Sequence, residues 1–299
     1  MTPARRIAGG CALLIGSVLL TGCQTAPAAR PALSAEPTMP ELTIPAARDE
    51  LARLGRGAEP LERPLLIFSG WGDPGVAGFV LVRALESAVL AGGEHPPIHG
   101  VDFFTTFTPA ACRERALNAA ARALGATPGQ PVEVDIIGKS MGGLVAREVA
   151  RHQASVDQPS LIVRRIFTIS TPHRGARLAG LPTLDPRVVS MRSGSDFLVA
   201  LDADLARPGA PPIHAYTRTG DWMVGEANTA PAGGTVAVLP RPWHEFGHIQ
   251  AGGDPRIVAD IVRRLRGDAP LLPDAGSVRS TPAMHGEAGE PRTFDPLGG

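Results

Sequence analysis

Cysteine is scarce in this sequence, and its placement excludes a disulfide-held fold. The 299 residues contain three, Cys11, Cys23 and Cys112. The first two fall in and at the end of an N-terminal apolar leader, so Cys112 is left without an intramolecular partner. It opens an expected helix and reads as a small buried hydrophobe. An excess of charge of either sign is also missing: 29 basic residues balance 29 acidic ones, which leaves no electrostatic footprint for nucleic acid. No internal repeat is present. The apolar run from Ile7 to Leu20 is too short for a good bilayer span. No group of side chains has calcium-ligand spacing, so neither metal nor cofactor is expected.

Against these absences stands one stretch, Val132 to Arg147, reading VEVDIIGKSMGGLVAR. Val132, Val134, Ile136 and Ile137 form an apolar run of β type. The chain then turns through Gly138-Lys139-Ser140-Met141-Gly142 and continues in a helical pattern carried by Leu144, Val145 and Val149. This is strand, tight turn and helix with Ser140 at the apex, the G-x-S-x-G form of a nucleophile elbow. The motif is short enough to arise by chance. Its single occurrence, its strand-to-helix setting and the partners that follow it in order give it weight.

The surrounding pattern alternates. Leu65 to Phe68 reads as a buried strand ending at Ser69-Gly70-Trp71. Further strands are expected over 98–104, 161–169, 214–219 and 235–239, and helices over 76–90, 112–124 and onward from the elbow to about His152. The last helix has the strongest signals. Asp254 caps it, Pro255 fills its first turn, and Ile257, Val258, Ile261, Val262 and Leu265 share one face. Such alternation implies the α/β class, a mainly parallel sheet with helices on both faces. Chemistry then gathers at the carboxyl ends of the strands.

A serine hydroxyl needs a base, and the base needs a carboxylate to hold it. Asp221, at the end of the strand His214 to Thr219, is the expected acid; Asp185, Asp196, Asp202 and Asp204 lie in an irregular segment and are weaker rivals. The base should follow the last strand, where His244 and His248 both stand, with His248 favoured for its place just before the final helix. His173 precedes the acid and is misplaced for that role, while His95, His99, His152 and His285 have no expected part. Two backbone N–H groups should receive a developing oxyanion: that of Met141, after the serine, and that of Trp71, in the loop after the first core strand.

The segment from Ile137 to Arg147 resembles the elbow of α/β-hydrolase lipases, especially compact bacterial triacylglycerol lipases and their GPI-inositol-deacylase-like relatives. Thr168 to Gly175, reading TISTPHRG, is similar to a second signature of those enzymes, and the likeness runs over residues 64 to 266. It implies an α/β-hydrolase fold and hydrolysis of acyl or lipid esters through a serine acyl-enzyme on Ser140. A thioesterase or acyltransferase with the same triad, or a non-catalytic envelope binding protein on this fold, remains an alternative. Two positions depart from the pattern: Ser69-Gly70 stands where His-Gly is usual, and Lys139 where histidine is common. The long connection over 174–212 carries many apolar residues and is expected to form a small cap or lid.

The ends read differently from the core. Arg5, Arg6 and the apolar run make residues 1–22 a secretory signal. Its ending, Leu20-Thr21-Gly22-Cys23, resembles the lipobox of bacterial lipoproteins. That resemblance implies a lipid on Cys23 and, with Gln24 next, an anchor in the outer membrane facing the periplasm. Residues 23–60, rich in Ala and Pro, are expected to be a flexible tether. The hydrolase domain is expected over 61–267 and a disordered tail over 268–299. Oligomeric state leaves no sign in the sequence.

Overall fold

The computed structural model describes residues 42–57, 59–89, 96–152 and 159–272. The expected leader (1–22), the lipidation site Cys23 and the tail beyond 272 lie outside the described residues.

Six strands form one sheet: β1 (Leu65–Phe68), β2 (Ile98–Val101), β3 (Val132–Lys139), β4 (Leu161–Ile169), β5 (Ile213–Arg218) and β6 (Ala237–Leu239). Their order is β2-β1-β3-β4-β5-β6, and every adjacent pair is parallel. Side chains alternate through the sheet as a pleat requires. Leu66, Phe68, Val134, Ile136 and Ile166 enter one core, against α3 (Pro109–Leu124), α4 (Met141–Arg151) and α6 (Asp196–Asp204). Leu65, Ile67, Ile137, Phe167 and Ile169 enter the other, against α1 (Ile44–Arg56), α2 (Val76–Val89) and α8 (Pro255–Leu265). The α/β class, with helices on both faces of a parallel sheet, is as the sequence implied.

Strand order positions the site. From β1 the chain crosses to β2 on one side and then returns to β3 on the other. The loops leaving β1 and β3 therefore diverge, and a crevice opens at their carboxyl ends. The Gly70-Trp71 loop and Ser140 flank that crevice.

The tether expected over 23–60 is corrected in its second half. Residues 44–56 form α1, capped by Thr43, whose hydroxyl accepts from the Ala46 N–H at 3.3 Å. An Ala- and Pro-rich composition hid a narrow apolar stripe in which Ala47 and Leu54 are buried. The need for α1 comes from α8, which has buried residues around most of its circumference and must be covered on its outer side. Arg263 donates to Glu50 at 2.7 Å, and Arg266 to the Leu54 carbonyl at 3.0 Å.

The tail boundary moves as well. Asp260 is fully buried, and its Oδ1 accepts the backbone N–H groups of Leu271 and Leu272 at 2.6 and 2.9 Å. A buried carboxylate needs such donors, so it holds residues past 267. β2 stops at Val101 rather than Phe104, because Asp102 turns the chain by accepting from the Phe104 N–H at 3.2 Å. The segment over 174–212, expected as a cap, holds a 3-10 turn (Arg177–Gly180), α5 (Pro186–Ser190) and α6. Of these, α6 sends Leu198 and Leu201 into the core beside α4.

Leu54→Ala tests whether α1 belongs to the domain. It is expected to lower the unfolding free energy by about 2–5 kcal/mol, read by circular dichroism in a urea titration. A loss within about 0.5 kcal/mol, the level of a surface change, would return the helix to the status of a loosely attached tether.

Candidate active site

The elbow forms where β3 runs into α4. Ser140 has φ 53° and ψ −127°, a backbone region that residues with a Cβ rarely occupy. Its N–H donates to the Ile169 carbonyl at 2.8 Å, and its own carbonyl accepts from Gly143 at 3.1 Å. A Cβ at Gly142 would run into the Phe68 carbonyl oxygen, so only glycine lets β1 lie this close to the start of α4.

Three side chains from three strand ends meet in line. His248, in the short helix α7 (Gly247–Gln250) after β6, approaches Ser140 Oγ with its Nε2 at 3.1 Å. Its Nδ1 lies 2.9 Å from Asp221 Oδ2. Asp221 follows β5 and is buried, and its Oδ1 accepts the Val224 N–H at 3.0 Å. Burial alone would raise the Asp221 pKa, but hydrogen bonds from His248, Val224 and Ser170 outweigh it and hold the carboxyl below its ordinary value. The group is therefore an anion at neutral pH, which fixes Nδ1–H on its side of the ring and leaves Nε2 free to accept the serine proton.

A loop with little apolar burial carries His248, and guanidinium groups hold it. Arg241 donates to the carbonyls of Trp243 and Glu245 at 3.0 and 2.6 Å. Arg218, almost wholly buried, pairs with Glu245 at 2.6 Å and with Asp254 at 3.3 Å. A Cβ on Gly247 would lie 2.7 Å from the Thr219 carbonyl oxygen, so glycine there lets the histidine loop close on the Asp221 turn.

The expected oxyanion donors flank the serine. A Cβ on Gly70 would be 3.1 Å from Ser140 Cβ, which places the β1 loop directly against the elbow. Among the described residues neither the Trp71 nor the Met141 N–H is spent in a backbone hydrogen bond. Trp71, Met223, Leu178, Val188, Met191 and Ile249 help to line a cavity of about 630 Å3 that opens over Ser140 and His248.

The remaining sequence candidates have other duties. His244 is exposed, with Glu245 at 3.9 Å, and does not reach the serine. His173 is fully buried; Arg147 donates to its Nδ1 at 3.0 Å, and its Nε2–H then donates to Thr168 at 3.0 Å. Burial, with the Arg147 charge next, pushes its pKa well down, so it is a neutral structural link. Asp202 accepts from Arg147, and Asp204 from Arg207, each at 2.8 Å. Asp185 is tied to the crevice in a way the sequence did not indicate: it accepts from the Trp71 indole at 2.8 Å and from Arg187 at 2.8 Å. Ser170, at φ 50° and fully buried, is another residue missed; its only sequence signal is its place directly after a strand. Among the described residues no group of three or more His, Cys, Asp or Glu side chains is placed to hold a metal ion, and no helix is long and apolar enough to cross a membrane.

Residues 115–188 match the family model of the PGAP1-like alpha/beta domain, which spans the elbow strand, its helix and the strand after it. The fold around that match is α/β, a parallel six-stranded sheet with helices on both faces. Among solved structures it is similar to the mature lipase BlEst2 of Bacillus licheniformis, at 15% identity and a TM-score of 0.48, over 70% of this chain and 94% of that one. It is also similar to a gene product of Listeria innocua, at 15% identity and a TM-score of 0.45, over 67% and 92%. Phospholipase PlaB from Legionella pneumophila aligns at 16% identity and a TM-score of 0.43, over 53% of this chain and 40% of its own length. No curated protein matches the sequence.

Asp185 gives a pH signature. Arg187 beside it, with the Trp71 indole, outweighs partial burial and holds its pKa at about 2, below the ordinary 3.8. A depressed native pKa adds stability above the unfolded value and loses it as pH falls through the native one. The difference in unfolding free energy between the wild type and Asp185→Ala is therefore expected to be flat above pH 4 and to shrink from about 3.8 to about 2. A difference that stays constant down to pH 2 would show that the carboxylate charge does not hold this contact.

Proposed function

We propose that this chain is a serine hydrolase of carboxylic esters that works through an acyl-enzyme on Ser140. The α/β-hydrolase fold supports ester hydrolysis in general, and one observation carries the finer reading. The continuous line from Asp221 through His248 to Ser140, at 2.9 and 3.1 Å, is what a serine nucleophile requires.

In this reading His248 Nε2 takes the proton from Ser140 Oγ as it attacks the ester carbonyl. Asp221 steadies the imidazolium that forms. The N–H groups of Met141 and Trp71 receive the oxyanion. The imidazolium then gives its proton to the departing alcohol, and water repeats the sequence to release the acid. The 630 Å3 cavity, walled by Leu178, Val188, Met191, Met223 and Ile249, suits the acyl chain. Each methylene buried there contributes about 0.8 kcal/mol. The signal-like residues 1–22 and Cys23 support a lipid anchor in the envelope for the same enzyme, with a lipid or acyl ester as its substrate.

Kinetics on 4-nitrophenyl butyrate, with fluorophosphonate labelling alongside, tests this. Ser140→Ala and His248→Ala are expected to lose about 10⁴-fold or more in kcat/KM, and Asp221→Asn about 10³- to 10⁴-fold. His244→Ala is expected to stay within about twofold, since its ring is outside the line. Folded wild-type protein that neither labels nor turns over the ester would sink the proposal.

A further inference from the structure

A second cleft, of about 340 Å3, lies beside the acyl pocket. Ile44 and Arg48 of α1 form one part of its wall, and Arg218, Gly252 and Asp254 another. The two cavities share Lys139 and Ile249. A molecule with its ester carbonyl at Ser140 can therefore reach past these two side chains from one cavity into the other.

The charges in the second cleft do not cancel. Arg218 pairs with Glu245 and Asp254, and Arg256 pairs with Asp254 at 2.7 Å. That network has two positive and two negative members. Arg48 and Lys139 stand outside it, and neither makes an ion pair among the described residues. The Lys139 stem runs along Gly252, where a Cβ would lie 3.3 Å from it. Its ammonium donates to the neutral Ile249 carbonyl at 3.0 Å, which leaves further N–H donors to spare. Burial lowers the Lys139 pKa, partly offset by the carboxylates of Asp73 and Asp221. A partly buried cation whose direct hydrogen-bond partner is a neutral carbonyl is stabilised by an arriving anion. Arg48 is exposed and sits one turn from Ile44 on the same helix face.

We propose that this cleft is a subsite for an anionic oxyacid group, carboxylate or phosphate, on the alcohol side of the ester, with Arg48 and Lys139 as its partners. The assignment rests on the serine-hydrolase reading for its direction: the apolar cavity takes the acyl chain, so the polar cleft is left for the leaving group.

Two readouts test it. The first is kcat/KM for 3-carboxy-4-nitrophenyl butyrate divided by that for 4-nitrophenyl butyrate, a ratio in which the reactivity of Ser140 cancels. Arg48→Gln and Lys139→Gln are each expected to lower it about tenfold. Arg53→Gln, on α1 and paired with Glu50 outside the cleft, is expected to leave it unchanged. The second is calorimetric binding of phenyl phosphate to Ser140→Ala, expected to weaken about tenfold when Arg48→Gln is added. Should the ratio hold in both cleft variants while the neutral ester is still hydrolysed, the subsite is overturned and the serine hydrolase stands. Arg48-dependent binding in a protein that hydrolyses neither ester would keep the anion site and remove the enzyme reading. Inorganic phosphate binding as tightly as phenyl phosphate would mark a site for a free anion and overturn its role in substrate selection.

Discussion

Ser140 carries a side chain at φ 53°, and the chemistry proposed for this chain hangs on that one backbone angle. Such a conformation costs about 1–3 kcal/mol and persists only where its surroundings over-determine it. Here they do. The Ser140 N–H is held by the end of β4, its carbonyl by Gly143, and α4 begins at the next residue with nearly all of its length buried. Glycines on both sides let the backbones of β1, β3 and α4 cross at a distance no Cβ allows. Relaxing the turn would swing Oγ away from His248 and lose the line of hydrogen bonds, so strain at the apex and reach toward the base are the same structural fact.

The base is held by a different kind of force. Elements of the sheet are fixed by apolar burial on both faces, but the segment around His248 exposes Trp243, Phe246 and Ile249. Arg218 and Arg241 hold it instead, through carbonyls and through the Glu245 and Asp254 carboxylates. Removing one member of a buried ion pair costs about 3–5 kcal/mol, because its partner is left charged and alone. The position of the imidazole is thus set by electrostatics on a scaffold set by hydrophobic packing. The two can be perturbed separately.

Much of this was legible in the residues. Short apolar runs indicated the strands, and the capped, one-faced pattern of Asp254 to Leu265 indicated α8, because both signals are local. The order serine, acid, histidine pointed to the three side chains that meet, since in a parallel sheet strand ends converge whatever lies between them. What stayed hidden depends on partners distant in sequence. The α1 stripe is narrow and makes sense only against α8. Residues past 267 are fixed by Asp260, whose burial no window of sequence announces. Asp185 looked like a weak rival for the acid because nothing local shows that its partner is the indole of Trp71, in a loop before β2.

The same loops that build the site also hold all of the tryptophan in the chain. Trp71, Trp222 and Trp243 follow β1, β5 and β6, and each is roughly half exposed or more, while the single tyrosine, Tyr216, is buried. An indole's emission follows its local solvent. The intrinsic fluorescence of this protein is therefore a signal from the loops at the carboxyl ends of the strands, with Trp71 at the crevice itself, and not from the core. Global unfolding frees these rings to water, whereas a ligand settling over Ser140 covers Trp71 directly. The molecule carries its own optical probe of occupancy.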